Sequence, residues 1–264
     1  MLDHCELFFI NERNMPKTSA LSFLRILLGF LLIIIQSLIF IPIFILFLPS
    51  RYILIRIGNF YGRTVSPIIL WILGSRFEFE HRERINASYP AIYLSNHSSQ
   101  LDPLIAIWLG YYGVCGVSKK EIVSIPFFGW AYWLSGHLLI DRSNKESAIA
   151  SISELQKDVK RLNLGVWIWP EGTRSIDGRL MKFKKGFAHI AIGTRLPIVP
   201  IVVKHGHKRW PSKTLFLDPG VVEVEVLEAI DTSSWSLENL DEHIKHVEDL
   251  YNEHLPEEQK RLEQ

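Results

Sequence analysis

Residues 96–102 read Asn-His-Ser-Ser-Gln-Leu-Asp, which puts an imidazole, His97, five positions before a carboxylate, Asp102. A histidine held by a carboxylate is an oriented general base. The carboxylate fixes the tautomer and stabilises the imidazolium that forms when a proton is taken. On one continuous helix, five positions turn through roughly 500°, so the two side chains would point apart. They meet only if the chain bends between them. The apolar run Ala91-Ile92-Tyr93-Leu94 before the motif and Asp102-Pro103 at its end suggest that bend: strand, polar turn, helix start. The same residues also read as a plain helix start. Asp102 is then an N-cap, Pro103 the first helical residue, and Asn96 and His97 ordinary turn residues.

A second chemical group follows the apolar triplet Val166-Trp167-Ile168, in the stretch Trp169-Pro170-Glu171-Gly172-Thr173-Arg174-Ser175. A guanidinium grips phosphate oxygens through paired N–H groups. With Thr173 and a backbone loosened at Gly172 adding donors, the turn suits a phosphate monoester. Glu171 is awkward beside an anion, and its expected work is to orient Arg174 or to bind a substrate hydroxyl. Arg142 ends the run Gly136-His137-Leu138-Leu139-Ile140-Asp141. That is a strand terminus, where α/β sheets place ligands. Lys182, Lys184 and Lys185 form a basic loop that faces either solvent or an anionic headgroup, carrier phosphate or lipid surface. Ser98 and Ser175 lack the Gly-x-Ser-x-Gly surroundings of a hydrolase nucleophile. His205 with His207, and His243 with His246, have spacings a metal could use, but no third ligand stands near either. No metal centre is expected.

These residues need elements to hold them. Phe77-Glu78-Phe79-Glu80 alternates with period two, as a half-exposed strand does. Residues 91–95, 113–118, 137–140, 166–169, 198–203 and 221–227 are further strand candidates, with helices between them over 103–111, 126–135, 145–163 and 185–195. Strands alternating with helices predict an α/β fold with a mixed, largely parallel sheet flanked by helices. Leu237, Leu240, Ile244, Val247 and Tyr251 fall at helical spacing and predict a surface helix that closes the domain. Residues 196–203, apolar and punctuated by Pro197 and Pro200, predict a packing strand or the lining of an apolar channel.

The N-terminal part has another texture. Residues 26–50 hold no charge and are dominated by Leu, Ile and Phe. That exceeds the roughly 20 residues a bilayer-crossing helix needs. It is too long for a signal-peptide core, and no small-residue cleavage site follows it. Pro42 favours a kink. Residues 52–73 are apolar but broken by Arg56, Arg63 and Pro67, and read as amphipathic. Cations flank the run on both sides, which gives the positive-inside rule little to act on. Either one span results, or a hairpin dipping into one leaflet with both ends on the cytoplasmic side. The hairpin is favoured, because the chemistry must stay with the rest of the chain in the cytoplasm. The expected organisation is a membrane-anchoring helical segment over residues 1–75 and an α/β domain over 76–264. A net charge of +1 implies no global electrostatic partner, nucleic acid included. The two cysteines, Cys5 and Cys115, make no disulfide framework, and a reducing compartment fits. Lys119-Lys120-Glu121, followed by Ile125-Pro126-Phe127-Phe128-Gly129-Trp130, could lie against lipid or an acyl chain, although aromatics at helical spacing usually fill a core.

In order along the chain, Asn-His-Ser-Ser-Gln-Leu-Asp, Gly-His-Leu-Leu-Ile-Asp-Arg, Trp-Pro-Glu-Gly-Thr-Arg-Ser and Leu-Pro-Ile-Val-Pro-Ile-Val-Val resemble the four motif blocks of the glycerolipid acyltransferase family, specifically the 1-acylglycerol-3-phosphate acyltransferases. The resemblance covers residues 90–205 and includes the later Phe-Lys-Lys-Gly, with an apolar anchor of the expected kind before it. Trp169 and Leu139 stand where the family usually has Phe. Both are apolar, so fine packing or acyl preference is affected rather than activity.

The resemblance implies a glycerol-3-phosphate acyltransferase-like domain. It would move an acyl group from acyl-CoA or acyl-carrier protein to lysophosphatidic acid, forming phosphatidic acid without a cofactor. His97 would be the base and Asp102 its partner, with Arg142, Glu171, Gly172, Thr173 and Arg174 holding the glycerol phosphate. A lysophospholipid with another headgroup is the alternative acceptor. An inactive membrane scaffold that merely binds lipid is the alternative function.

Overall fold

A computed structural model describes residues 19–110, 112–141 and 145–262. Its helices are α1 (Ala20–Leu46), α2 (Arg51–Ile72), α3 (Arg84–Ala87), α4 (Asp102–Leu109), α5 (Phe128–Leu134), α6 (Lys145–Leu162), α7 (Gly186–Thr194), α8 (Gly206–Arg209) and α9 (Leu240–His254). Its strands are β1 (Ser75–Glu80), β2 (Ile92–Ser95), β3 (Val114–Lys119), β4 (Leu138–Ile140), β5 (Gly165–Ile168), β6 (Ile198–Lys204) and β7 (Gly220–Val226). These seven strands form one sheet in the order β1-β7-β6-β2-β5-β3-β4. Only β6 and β7 pair antiparallel; the other neighbours are parallel. The expected mixed, largely parallel α/β sheet is the one observed.

Burial explains which strands sit inside. All four residues of β2 and all four of β5 are buried, as a strand covered on both faces requires. The edge strand β1 alternates between buried or half-buried and exposed residues. Residues of α6, α7 and α9 cover one face through Leu155, Phe187 and Val247, among others. Residues of α2 and α4 cover the other through Val65, Ile69 and Leu104. The predicted helix over residues 126–135 is shorter in the structure. A 3-10 helix, Lys120–Ser124, precedes an α5 that begins only at Phe128.

Pro200 interrupts the middle of the sheet, because it has no N–H to give its neighbour. It stands opposite Leu94 in the β2–β6 register. The phenol of Tyr251, from α9, enters the ladder there. It donates to the Leu94 carbonyl and accepts from the Ile201 amide at 3.2 Å. Within the expected stretch 196–203, β6 is therefore an inner packing strand, and every residue from Ile198 to Val203 is buried.

The N-terminal helices lie against this body. Ser19 and Ser50 cap α1 and α2 through their side chains. Helix α1 runs on through Pro42, and by length and composition it could cross a membrane. Helix α2 is amphipathic, as expected, and buries Leu54, Gly58, Tyr61, Val65 and Ile69 along its length. Helix α1 pairs with α2 through Gln36, whose amide donates to the Tyr61 carbonyl at 3.0 Å and to the Thr64 hydroxyl at 2.8 Å. Near its start, Ser22 donates to the Leu217 carbonyl at 3.0 Å. Near its end, Phe44 is fully buried.

Candidate active site

Strands β2 and β5 are neighbours and parallel, so the turns that leave their C-terminal ends emerge side by side. His97 lies on the first turn and Glu171 on the second. This is the sheet edge at which α/β folds place ligands.

The turn after β2 is pinned before it reaches His97. The Asn96 amide donates to the Val203 carbonyl at 2.9 Å and accepts from the Val203 N–H at 2.8 Å. The chain then bends, and His97 Nδ1 meets Asp102 Oδ2 at 2.7 Å. The same oxygen accepts from the Ser98 and Ser99 amides, each at 2.8 Å. The carboxylate thus holds the turn and the ring together. Its side chain is 1% exposed and that of His97 12%. Leu101, not Asp102, occupies the N-cap of α4; Asp102 is the first helical residue and reaches back into the turn. The plain helix-cap reading is displaced for that reason. With Nδ1 committed to Asp102, Nε2 is the nitrogen that takes a proton.

Two contacts from the second turn fix the backbone of His97. Its N–H donates to Glu171 Oε1 at 3.0 Å, and its carbonyl accepts from the Ser175 N–H at 2.8 Å. The imidazole also stacks on Trp169, with ring centroids 4.8 Å apart and planes 23° from parallel. Glu171 is 2% exposed, and Oε2 has no hydrogen-bond partner among the described residues. Burial pushes its pKa well above the usual carboxylate value, and the negative charge of Asp102 adds to the rise. Glu171 makes no ion pair with Arg174 among the described residues; its observed bond is to the His97 backbone.

Gly172 sits at φ 75°, a left-handed conformation that residues with a Cβ rarely adopt. It lets its own N–H turn back to the Trp169 carbonyl at 3.1 Å. Thr173 is exposed and Arg174 half-buried. Arg174 Nε is buried without a hydrogen-bond partner among the described residues. Desolvation lowers its pKa, while nearby Asp102 counters that shift. A guanidinium with an unmet donor beside the base is a place for an anion. Arg142 lies outside the described residues. Lys182 and Lys184 are exposed, whereas Lys185 pairs with Asp241 at 2.6 Å.

The other candidates go elsewhere. Ser98 and Ser175 are buried, and the Ser175 hydroxyl bonds Asp177 at 2.9 Å. His243 stacks on Trp235 with centroids 4.4 Å apart, and His205 faces Glu258 at 3.5 Å. Sequence reasoning did not find the work of Asn96, the ring stack on Trp169 or the Glu171 bond. The only hint was that all three stand beside chemical residues at strand ends.

A family model described as Acyltransferase matches residues 76–204. A 1-acyl-sn-glycerol-3-phosphate acyltransferase of Limnanthes alba is 38% identical over 92% of this chain and 85% of that protein. One of Cocos nucifera is 41% identical over 93% of this chain and 79% of that protein. The chain belongs to the acyltransferase family. Its fold agrees with the crystal structure of the 1-acyl-sn-glycerophosphate (LPA) acyltransferase from Thermotoga maritima. The TM-score is 0.69 at 21% identity, covering 86% of this chain and 92% of that one. The family match runs from β1 to the end of β6, so it contains both turns of the site.

Proposed function

We propose that this acyltransferase esterifies the free hydroxyl of lysophosphatidic acid with an acyl group from a thioester, giving phosphatidic acid for phospholipid biosynthesis. His97 Nε2 takes the proton of the acceptor hydroxyl as its oxygen attacks the thioester carbonyl. The tetrahedral intermediate collapses, the carbon–sulfur bond breaks, and the thiolate leaves with the proton that His97 carried. Asp102 stabilises the imidazolium between those steps. No acyl-enzyme is needed, which agrees with the buried state of Ser98 and Ser175. Arg174, with Gly172 and Thr173, holds the phosphate; Arg142 adds a further contact. Neither metal nor organic cofactor enters the reaction, and the donor is acyl-CoA or acyl-carrier protein.

The 2.7 Å bond between His97 and Asp102 carries this reading. An inactive lipid-binding scaffold has no use for a base oriented by a buried carboxylate.

Residues 1–75 hold the chain at the membrane, and residues 76–264 carry the chemistry on the cytoplasmic side. Ser22 ties the start of α1 to the body, Gln36 and Phe44 tie the rest of it to α2, and α2 is buried against that body. That arrangement supports a hairpin lying in one leaflet over a single perpendicular span.

The test is turnover by the purified full chain in lipid vesicles. Lysophospholipids with different headgroups are offered with labelled acyl-CoA or acyl-carrier protein, and products are read by mass. Phosphatidic acid from lysophosphatidic acid is expected with at least one donor. No phosphatidic acid with either donor defeats the proposal.

A further inference from the structure

Helix α5 turns two tryptophans away from the core. Trp130 is 45% exposed and Trp133 59%, while Ala131 between them is buried. The direction is set by close packing. A Cβ on Gly129 would lie 2.1 Å from the Ile122 carbonyl oxygen, so only glycine lets α5 sit this tightly on the 3-10 helix before it. Phe127 enters α5 at φ 62° and packs its ring against Trp130 at 5.2 Å. The helix is therefore packed closely with its indoles outward.

Two neighbours say what covers them. First, α5 packs against α1, whose outer side exposes Leu31, Leu38 and Ile39. The indoles thus stand on a helix that touches the apolar α1. Second, Lys119, the last residue of β3, is exposed where the chain leaves for α5, and Lys120 beside it is exposed and paired with Asp141 at 2.5 Å. An indole has an apolar body and one N–H donor, which suits the boundary between acyl chains and headgroups. Cations beside it suit anionic headgroups.

We propose that α5 and the turn before it are a second lipid-contacting surface, beside α1, in which Trp130 and Trp133 lie at the apolar–polar boundary of a bilayer and Lys119 faces its anionic headgroups. This rests on the membrane reading of α1 given above. Strand β3 runs parallel to β5, so Lys119 and Lys120 mark the sheet end at which Glu171 and His97 emerge. Contact there turns the site towards lipid and shortens the path of an acceptor into it.

The test places single cysteines by Leu31→Cys, Trp133→Cys or Leu237→Cys in a full chain carrying Cys5→Ser and Cys115→Ala. Each is labelled with bimane and mixed with phosphatidylcholine–phosphatidic acid vesicles bearing doxyl groups on their tails. Leu237 is exposed just before α9, on the far face of the sheet, and serves as the control. The probes at 31 and 133 should lose most of their emission and the probe at 237 none. Quenching at 31 but not at 133 overturns this proposal and leaves the anchor reading intact. Failure to quench at 31 overturns both. Quenching at 133 that depends on protein concentration without vesicles marks contact between copies and also overturns it. A second arm keeps both cysteines and uses Trp130→Ser with Trp133→Ser. The KM for vesicle-borne lysophosphatidic acid should rise several-fold with kcat unchanged; an unchanged KM contradicts the proposal.

Discussion

The backbone N–H of His97 donates to Glu171 Oε1 at 3.0 Å, so the acid of one strand-end turn holds the base of the next. In the sequence each turn stands alone, one as a catalytic and one as a binding element. From that coupling we propose that Glu171 also acts as a positioning residue, one that sets where the imidazole stands.

Glu171→Gln should therefore keep most of kcat, because its amide oxygen still accepts from His97. Glu171→Ala orphans a largely buried N–H, which costs about 1–3 kcal/mol, and frees the base to shift. Steady-state kinetics on both variants separate the outcomes. Equal loss in Gln and Ala would mean that the negative charge, not the acceptor, is what matters.

The raised pKa of Glu171 has a consequence for stability. A carboxyl whose folded pKa lies above its unfolded value binds its proton more tightly when folded. Its contribution is fully present below the unfolded pKa, near 4.5, and is lost as pH rises through the folded value. Thermal unfolding of the wild type and Glu171→Gln should then diverge as pH climbs from about 4.5 towards neutrality, with the Gln variant gaining. Parallel curves across that window would place an ionised Glu171 in the folded protein.

Arg174→Ala should act on substrate binding. A charge-assisted hydrogen bond contributes about 1.5–3 kcal/mol, so KM for lysophosphatidic acid should rise roughly ten- to a hundredfold with a smaller effect on kcat. Arg174→Lys should recover only part of this, because an ammonium cannot grip two phosphate oxygens as a planar fork does. A kcat effect without a KM effect would move Arg174 from binding to chemistry.

Tyr251→Phe should destabilise the fold, because Leu94 O and Ile201 N lose their shared partner beside Pro200. The expected loss is about 1–3 kcal/mol in chemical denaturation. Pro200→Ala restores an N–H to β6 and should recover part of it. No recovery would mean that the phenol does not stand in for the missing donor.

The order of elements was legible because its signals are local. Buried strands showed as short apolar runs, and the bend between His97 and Asp102 showed because no helix could join them. The rest depended on which strands become neighbours. Glu171 reaches His97 only because β5 lies beside β2, although 74 residues separate the two. Tyr251 reaches Leu94 across 157 residues, and nothing near either residue announces it. Trp130 and Trp133 have the spacing of core residues, and only the packing of Gly129 on the preceding turn shows that they face out. Asp102 had the sequence of a helix cap, and the amides of Ser98 and Ser99 drew its carboxylate back into the turn instead.

The most direct test of the central claim is single-turnover acyl transfer to lysophosphatidic acid by Asp102→Asn and His97→Ala, with folding checked by circular dichroism. The oxygen that meets His97 Nδ1 is the one that accepts from Ser98 and Ser99, so an asparagine oxygen in its place keeps the turn but carries no charge to stabilise the imidazolium. Both variants should fold, and both should lose at least about 10²-fold in rate, the contribution of a positioned base. Wild-type turnover by a folded His97→Ala would contradict the account outright.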